Sequence, residues 1–179
     1  LLGQHDVVLL AQHREDQMET VLLQLFRGAG VKGLSGMPLT IDFGKGLMCR
    51  PLLDVSKQVI DDYAAVNQLS WVEDPSNKSN QFDRNFLRNQ IVPQLKKKWP
   101  ALDKTISRSA RHCAKAHKMS EGLAVELLNQ IINEVDQTLN ISKLCALEIN
   151  KQNLVIRQWF KAKQLRMPSE KVVSGIINQ

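Results

Sequence analysis

The chain contains 179 residues, of which 43% are apolar and 23% are charged, and this balance is typical of a water-soluble globular protein. No apolar stretch approaches the roughly 20 residues needed to cross a bilayer, so we expect no membrane segment and a cytoplasmic location. The three cysteines are widely spaced and odd in number, which argues against a disulfide framework or a zinc ribbon.

The net charge of +6 is divided unevenly along the chain. Residues 1–92 carry nine Lys and Arg against eleven Asp and Glu, whereas residues 93–179 carry fifteen against seven. Between Pro93 and Lys118 there is one acidic residue, Asp103. Because phosphate neutralisation supplies most sequence-independent affinity for nucleic acids, this pattern predicts a substrate-handling first half and a second half that faces a polyanion.

The first elements follow a strand-to-helix pattern. Residues 6–11 form an aliphatic run that is typical of a strand covered on both faces in a parallel sheet. Apolar residues spaced three and four apart from Met18 to Phe26 predict a helix that ends at Gly28. Residues 13–19 then follow the carboxyl end of a strand, where open α/β sheets bind ligands.

The next elements are a hairpin and two helices. Residues 39–43 and 47–50 predict a hairpin, and Ser56 is the predicted N-cap of the helix that follows. A further helix is predicted from about Arg84, and Pro93 is expected to kink or end it.

The second half reads as helical. A long helix is predicted over residues 102–135, an amphipathic helix over 151–163, and a last helix that opens at Pro168. The three consecutive lysines at residues 96–98 predict the boundary between the first and second domains. We therefore expect an α/β domain over residues 1–95 and a helical domain over residues 96–179.

Acidic residues stand at the entrance of the first helix. Asp16 and Glu19 are three residues apart, so they lie on one helix face and can converge on a cation. With His13 they could bind an ammonium group, share a Mg²⁺ ion with a nucleotide, or act as a general base. The alternative is that these acids only complement the helix dipole.

Gly28, Gly30 and Gly33 spell G-x-G-x-x-G, but a dinucleotide fingerprint must follow a strand, and this segment follows a helix. We interpret it as a tightly turned loop that, with Lys32, can bring backbone amides close to a ligand. A simple connector is the alternative.

A polar turn at residues 73–77 precedes Arg84, Asn85 and Arg88. The two arginines are four apart on the predicted helix, so they could clamp a phosphate or the acidic groups across the turn. The alternative is a solvated helix face paired with Asp83.

Five cations recur three and four residues apart on the long helix, with almost no compensating acids. We favour a nucleic-acid backbone contact over a solvated face. His112, Cys113 and His117 lack further ligands nearby, so no metal site is assigned. The predicted nucleic-acid-binding residues are Lys104, Arg108, Arg111, Lys115 and Lys118.

Six motifs occur in a fixed order along the chain. They are AQHREDQMET at 11–20, RGAG at 27–30, GLSGM at 33–37, RPLL at 50–53, WVEDPSN at 71–77 and DRNFLR at 83–88. Together they closely resemble bacterial tRNA(Ile)-lysidine synthetases, a family of N-type ATP pyrophosphatases. Trp159 and residues 165–169 also resemble the central helical domain of this family, so the resemblance covers nearly the whole chain.

The resemblance implies a reaction in which ATP adenylates the wobble cytidine of the isoleucine tRNA with a CAU anticodon, and L-lysine then displaces AMP. It implies ATP and Mg²⁺ as cofactors. It also implies the C-terminal part of a Rossmann-like parallel-sheet PP-loop domain, followed by an all-α tRNA-recognition domain. The implied catalytic residues are Asp16, Glu19 and Arg84, and the implied substrate-binding residues are His13, Gly28, Gly30, Lys32, Gly33, Asn85 and Arg88.

Two departures from the family pattern bear on these expectations. The phosphate loop S-G-G-x-D-S is absent, so we expect an excerpt that cannot turn over ATP by itself. Glu15 stands where the family usually has Asp. Another PP-loop tRNA-modifying enzyme, such as one that thiolates tRNA, would need a cysteine pair, and a non-catalytic RNA-binding fragment would leave the acidic residues without a role. The oligomeric state stays open, with a homodimer among the alternatives.

Overall fold

A computed structural model describes residues 3–72 and 74–177. The chain divides into two compact units, Leu1–Ala114 and Lys115–Gln179. The domain boundary expected after residue 95 stays a prediction. Glu73, part of the polar turn singled out in the sequence, lies outside the described residues.

The first unit contains a three-stranded sheet with the order β1-β3-β2. Strand β1 (Val7–Leu9) pairs in parallel with β3 (Gly46–Cys49), which pairs antiparallel with β2 (Thr40–Phe43). The predicted hairpin is therefore confirmed, and Gly44 in its turn has a φ of +62°. The expected α/β class is also confirmed, with a sheet that is mixed rather than purely parallel.

The expectation that β1 is covered on both faces is wrong for the described residues. Val7 and Leu9 are 51% and 66% exposed. Because side chains alternate along a strand, these two residues share one face, and that face is largely exposed. An aliphatic run therefore identified the strand correctly but not its surroundings.

The helices of the first unit largely follow the predicted order. Helix α1 starts after His13, whose backbone N–H donates to the Asp16 carboxylate (3.0 Å), and α3 starts after Ser56, whose hydroxyl accepts from the Val59 amide (3.4 Å). Gly28 follows α1 with a φ of +70°, as its predicted role at the helix end requires. The helices are α1 Arg14–Phe26, α2 Val31–Leu34, α3 Lys57–Val66, a 3₁₀ turn Pro75–Lys78, α4 Asp83–Phe86, a π-helical turn Leu87–Ile91 and α5 Val92–Lys98.

The π-helical turn explains how one helical segment buries Leu87 and Val92 together. These residues are 2% and 8% exposed and pack with Met18 and Leu22 of α1. Five residues apart on a regular α-helix, they would point about 140° away from each other. The wider turn brings them onto one face. Pro93 does not end the helix, because it lies just after the π-helical turn, where the regular i to i−4 hydrogen bonding is already interrupted.

The second unit is helical, as expected. Helix α6 (Leu102–Ile131) contributes residues to both units, and α7 (Ile141–Cys145), α8 (Ile149–Ala162) and α9 (Glu170–Ile177) follow it. Among the described helices, none is both long and apolar enough to cross a membrane. The buried core of this unit consists of Leu128, Ile131, Leu144, Val155, Ile156 and Val173.

Candidate functional site

Four charged side chains from two helical segments meet in what we call the charge cluster, namely Asp16, Glu19, Arg84 and Arg88. The Glu19 carboxylate accepts from Nε of Arg88 (2.6 Å), Nη2 of Arg88 (2.7 Å) and Nε of Arg84 (2.9 Å). Oδ1 of Asp16 accepts from Nη2 of Arg88 (2.8 Å) and Nη2 of Arg84 (3.2 Å). The structure thus brings four predicted site residues into direct contact.

Burial makes these contacts necessary. The Glu19 side chain is 2% exposed, whereas each arginine side chain is 38% exposed. A buried carboxylate loses its hydration, and only hydrogen bonds from a counter-charge can replace it. In return, hydrogen bonding to Glu19 raises the pKa of the Arg88 guanidinium above its ordinary value, against the opposing effect of burial.

His13 extends the charge cluster toward the start of α1. Its ring Nε2 lies 3.3 Å from Oδ2 of Asp16, and its ring Nδ1 lies 3.2 Å from Oε2 of Glu15. The same Glu15 oxygen accepts from the backbone N–H of Lys57 (2.9 Å). Both carboxylate oxygens of Asp16 are therefore engaged. The polar residues predicted to lie together at the start of α1, His13, Asp16 and Glu19, are part of one connected cluster.

In this structure Asp16 and Glu19 bind two cationic groups, the guanidinium groups of Arg84 and Arg88. A purely helix-dipole role for these acids is therefore incomplete, because both take part in contacts between distant segments. Among the described residues, no group of three or more His, Cys, Asp or Glu side chains could hold a metal ion. Because Mg²⁺ in nucleotide sites is held by one or two carboxylates together with phosphates and waters, the predicted Mg²⁺ stays a prediction.

Asp74, in the polar turn before α4, is engaged within the turn itself. Asp74 accepts from the backbone N–H of Ser76 (2.8 Å), and this hydrogen bond holds the pKa of the Asp74 carboxyl below its ordinary value. Asn85 donates to the Ser76 carbonyl (2.9 Å). Asp83 pairs with Arg27 at 3.8 Å, so the alternative of a helix face paired through Asp83 does not describe Arg84.

The glycine loop is anchored at its end by the side chain of Gln17. Gln17 is 7% exposed, and its amide both donates to the carbonyl of Met37 (2.8 Å) and accepts from the N–H of Met37 (2.7 Å). Gly36 has a φ of +66°, and a Cβ there would lie 2.6 Å from Oε1 of Gln17. The loop is therefore tightly turned, as predicted.

The predicted substrate-binding residues of this loop lie at different points along it. Gly28 follows α1, Gly30 is the N-cap of the short helix α2, and Lys32 and Gly33 lie within α2. A Cβ on Gly33 would meet Cβ of Ala29 at 2.5 Å, whereas Gly28 and Gly30 face open space. No described hydrogen bond joins these four residues to the charge cluster, so their role in binding stays a prediction.

Comparison with known proteins places the chain in a family. Residues 1–95 match a family model described as a PP-loop domain. The chain belongs to the PP-loop family. Residues 139–179 match a second model, described as a TilS substrate binding domain.

Several curated relatives of this PP-loop chain carry the name tRNA(Ile)-lysidine synthase. The protein from Methylococcus capsulatus is 42% identical over 96% of the chain and 39% of its own length. The one from Legionella pneumophila strain Lens is 39% identical over 100% of the chain and 41% of its own length. The one from Photobacterium profundum is 45% identical over 93% of the chain and 38% of its own length. The chain thus spans about two fifths of the length of these relatives.

The whole of α6 lies between the two matched regions of the PP-loop chain, and this helix carries the five predicted tRNA-binding cations. All five are exposed, with Lys104, Arg108 and Arg111 in the first unit and Lys115 and Lys118 in the second. Arg111 pairs with Asp54 at 3.1 Å. The other four form no ion pair with any described residue. Their contact with tRNA stays a prediction.

Three further residues of the PP-loop chain support the start of α1 and were not predicted. Asp103 is 5% exposed and lies 3.4 Å from Nη1 of Arg14 and 3.9 Å from Nζ of Lys96. Lys96 also lies 3.5 Å from Oε1 of Glu15. The isolation of Asp103 among basic residues was the available signal, because a lone acid in such a stretch is a ready ion-pair partner.

Proposed function

We propose that the protein acts as a tRNA(Ile)-lysidine synthase. The observation that carries this proposal is that one chain joins a PP-loop domain match at residues 1–95 to a TilS substrate binding domain match at residues 139–179. Relatives with this name align over nearly the whole chain. The proposed substrates are ATP, L-lysine and the isoleucine tRNA with a CAU anticodon.

The proposed reaction proceeds in two balanced steps. The carbonyl oxygen of the wobble cytosine attacks the α-phosphorus of ATP, and the bond to pyrophosphate breaks. The ε-amino nitrogen of lysine then forms a bond to the ring carbon that carries this oxygen. AMP leaves together with the oxygen, and the lysine nitrogen gives up a proton. The second step needs a neutral amine, so a nearby carboxylate that accepts a proton or a hydrogen bond would assist it.

The charge cluster offers groups for both ends of an amino acid. Asp16 and Glu19 would receive an ammonium group, and the partly exposed guanidinium groups of Arg84 and Arg88 would receive a carboxylate or phosphate. An incoming amine would have to share carboxylate oxygens that these arginines now occupy. We keep Asp16, Glu19 and Arg84 as the proposed catalytic residues.

The remaining assignments complete the proposal. His13 contacts Asp16, and Asn85 directly follows Arg84 in the sequence. Both positions support a substrate-binding role. Mg²⁺ is proposed as the companion of the ATP phosphates, with no ligand assigned among the residues described. A homodimer and a cytoplasmic location stay predictions.

The test is lysine incorporation by the longest natural chain that contains these residues. We expect ATP-dependent transfer of radioactive lysine to a CAU-anticodon tRNA(Ile) transcript and none to a GAU-anticodon transcript. Asp16→Asn should lower the rate by about a hundredfold, as expected for a lost acid–base group. Arg84→Lys should also lower it, because lysine keeps the charge but not the paired N–H geometry.

Asp42→Asn is the matched control, since Asp42 is an exposed acid on β2. Full activity in both Asp16→Asn and Arg84→Lys would show that the site assignment is wrong. Absence of lysine transfer by the unaltered protein would contradict the function itself.

A further inference from the structure

A cleft of about 460 Å³ lies between the end of α1 and the segment that starts at Asp83. Leu23, Leu87 and Ile91 form its less exposed side, and Leu87 is only 2% exposed. This volume falls within the range of small-molecule sites, which are mainly apolar with a few polar groups that fix orientation. The cleft therefore has the size and lining of a binding site for a ring system.

Two aromatic side chains also line the cleft. Phe26 and Phe86 are 66% and 48% exposed, so much of their ring surface is available for contact. Stacking of a base on an aromatic face is a general mode of single-stranded RNA recognition, because every base has such a face. An extruded base would find stacking surface here.

The polar groups of the cleft are a donor beside an acceptor. Arg27 and Asp83 are 3.8 Å apart, and their side chains are 64% and 81% exposed. An ion pair this exposed is weak, so a ligand can separate or bridge it. Arg27 can only donate hydrogen bonds and Asp83 can only accept them, which requires a ligand that has an acceptor next to a donor.

The position of the cleft links it to the charge cluster. Leu23 follows Glu19 by four residues on α1, a rise of about 6 Å, and Asp83 directly precedes Arg84. A base held in the cleft would thus lie next to the groups proposed to act on it. The proposed function makes that base a cytosine.

We propose that this cleft holds the target cytosine and that Asp83 distinguishes it from uracil, an inference that rests on the proposed function. Asp83 would accept from the exocyclic amine and Arg27 would donate to the neighbouring ring nitrogen. The ring carbonyl on the other side of that nitrogen would stay free to react with ATP. Uracil in the same orientation places a carbonyl oxygen against Asp83, which is repulsive.

The experiment measures binding rather than turnover. The longest natural chain containing these residues is titrated with labelled anticodon stem-loop RNAs that carry C or U at the wobble position. We expect the C form to bind about tenfold more tightly. Asp83→Asn should remove most of this preference, because an amide offers both a donor and an acceptor. Phe86→Ala should weaken binding of both RNAs, and Phe86→Trp should restore it.

Asp42→Asn is again the matched control, and thermal melting checks that each variant is folded. Equal binding of the two RNAs, or an unchanged preference in Asp83→Asn, would overturn the inference. So would a Phe86→Ala variant that loses stability without losing RNA affinity, since the cleft would then hold an apolar side chain. Lysine transfer by the unaltered protein is scored separately, so failure of this inference and failure of the proposed function are distinguishable.

Discussion

Glu19 is a residue whose surroundings permit little change. Its carboxylate is 2% exposed, and three guanidinium N–H groups donate to it. A carboxylate buried this deeply is tolerated only with such partners, and its removal would leave two arginines facing each other at short range. The interaction is therefore structural as well as chemical.

Replacement of this acid tests the structural part. We expect Glu19→Gln to lower the free energy of unfolding by about 2–4 kcal/mol. This loss is smaller than for a fully buried ion pair, because the arginines are partly exposed. Urea denaturation measures the loss. Glu126→Gln, on an exposed position of α6, should change stability by less than about 0.5 kcal/mol. Equal effects of the two substitutions would show that the pairs contribute little.

Sequence patterns identified the members of the charge cluster but not their pairing. The spacing of Asp16 and Glu19 predicted one face, and the spacing of Arg84 and Arg88 predicted a clamp for anions. The acids and the arginines are more than 60 residues apart. Contact between such distant segments depends on tertiary packing, which no local pattern contains.

At the level of elements, the glycine loop is limited by one position. Gly36 combines a φ of +66° with close approach to the Gln17 amide, whereas Gly30 has an ordinary φ of −74° and no atom near its missing Cβ. The first position needs glycine for conformation and for space. Position 30 needs glycine for neither reason.

These two glycines form a matched pair of substitutions. Gly36→Ala should destabilise the protein by about 1–3 kcal/mol, because it strains the backbone and displaces Gln17 from Met37. Gly30→Ala should have little effect on stability. Thermal or urea unfolding of both variants provides the measurement. If Gly36→Ala were as stable as the unaltered protein, the Gln17 contact would not constrain the loop.

Elements with a distinct end signal were predicted well. Gly28 marked the end of α1, and Ser56 marked the start of α3. The π-helical turn was not predicted, since a period of 3.6 residues has no place for two buried residues five apart, such as Leu87 and Val92. The surroundings of β1 were also missed, because an aliphatic run does not specify what packs against it.

At the level of the whole molecule, the cations of α6 are not equivalent. Arg111 is engaged with Asp54, whereas Arg108 pairs with no described residue. The exposed pair itself is weak, but the nearby Asp54 carboxylate offsets part of the positive charge of Arg111. Charge counted from the sequence therefore overestimates the contribution of Arg111.

The two arginines allow a direct comparison. Using the longest natural chain that contains these residues and a CAU-anticodon tRNA, Arg108→Gln should weaken binding and lower the slope of log affinity against log salt by about one. Arg111→Gln should change both quantities less. Filter binding over a range of salt concentrations measures this. A larger effect for Arg111, or no effect for either, would contradict a role for this helix in tRNA binding.

The family could be predicted from sequence because its motifs recur in fixed order, and the matches at residues 1–95 and 139–179 confirm that resemblance. The cleft that Phe26 and Phe86 line could not be predicted, since it exists only where two segments meet. Asp103 had a sequence signal, but its partners Arg14 and Lys96 did not.

The π-helical turn at Leu87–Ile91 works as a phase shift between two stretches of one helix. If the same residues formed a regular α-helix instead, everything after them would be rotated by about 100°. Val92 would then leave the core, and Lys96 would turn away from Glu15 and Asp103. The wider geometry of this turn, and not only the chemistry of its residues, therefore holds the acid-bearing helix in place.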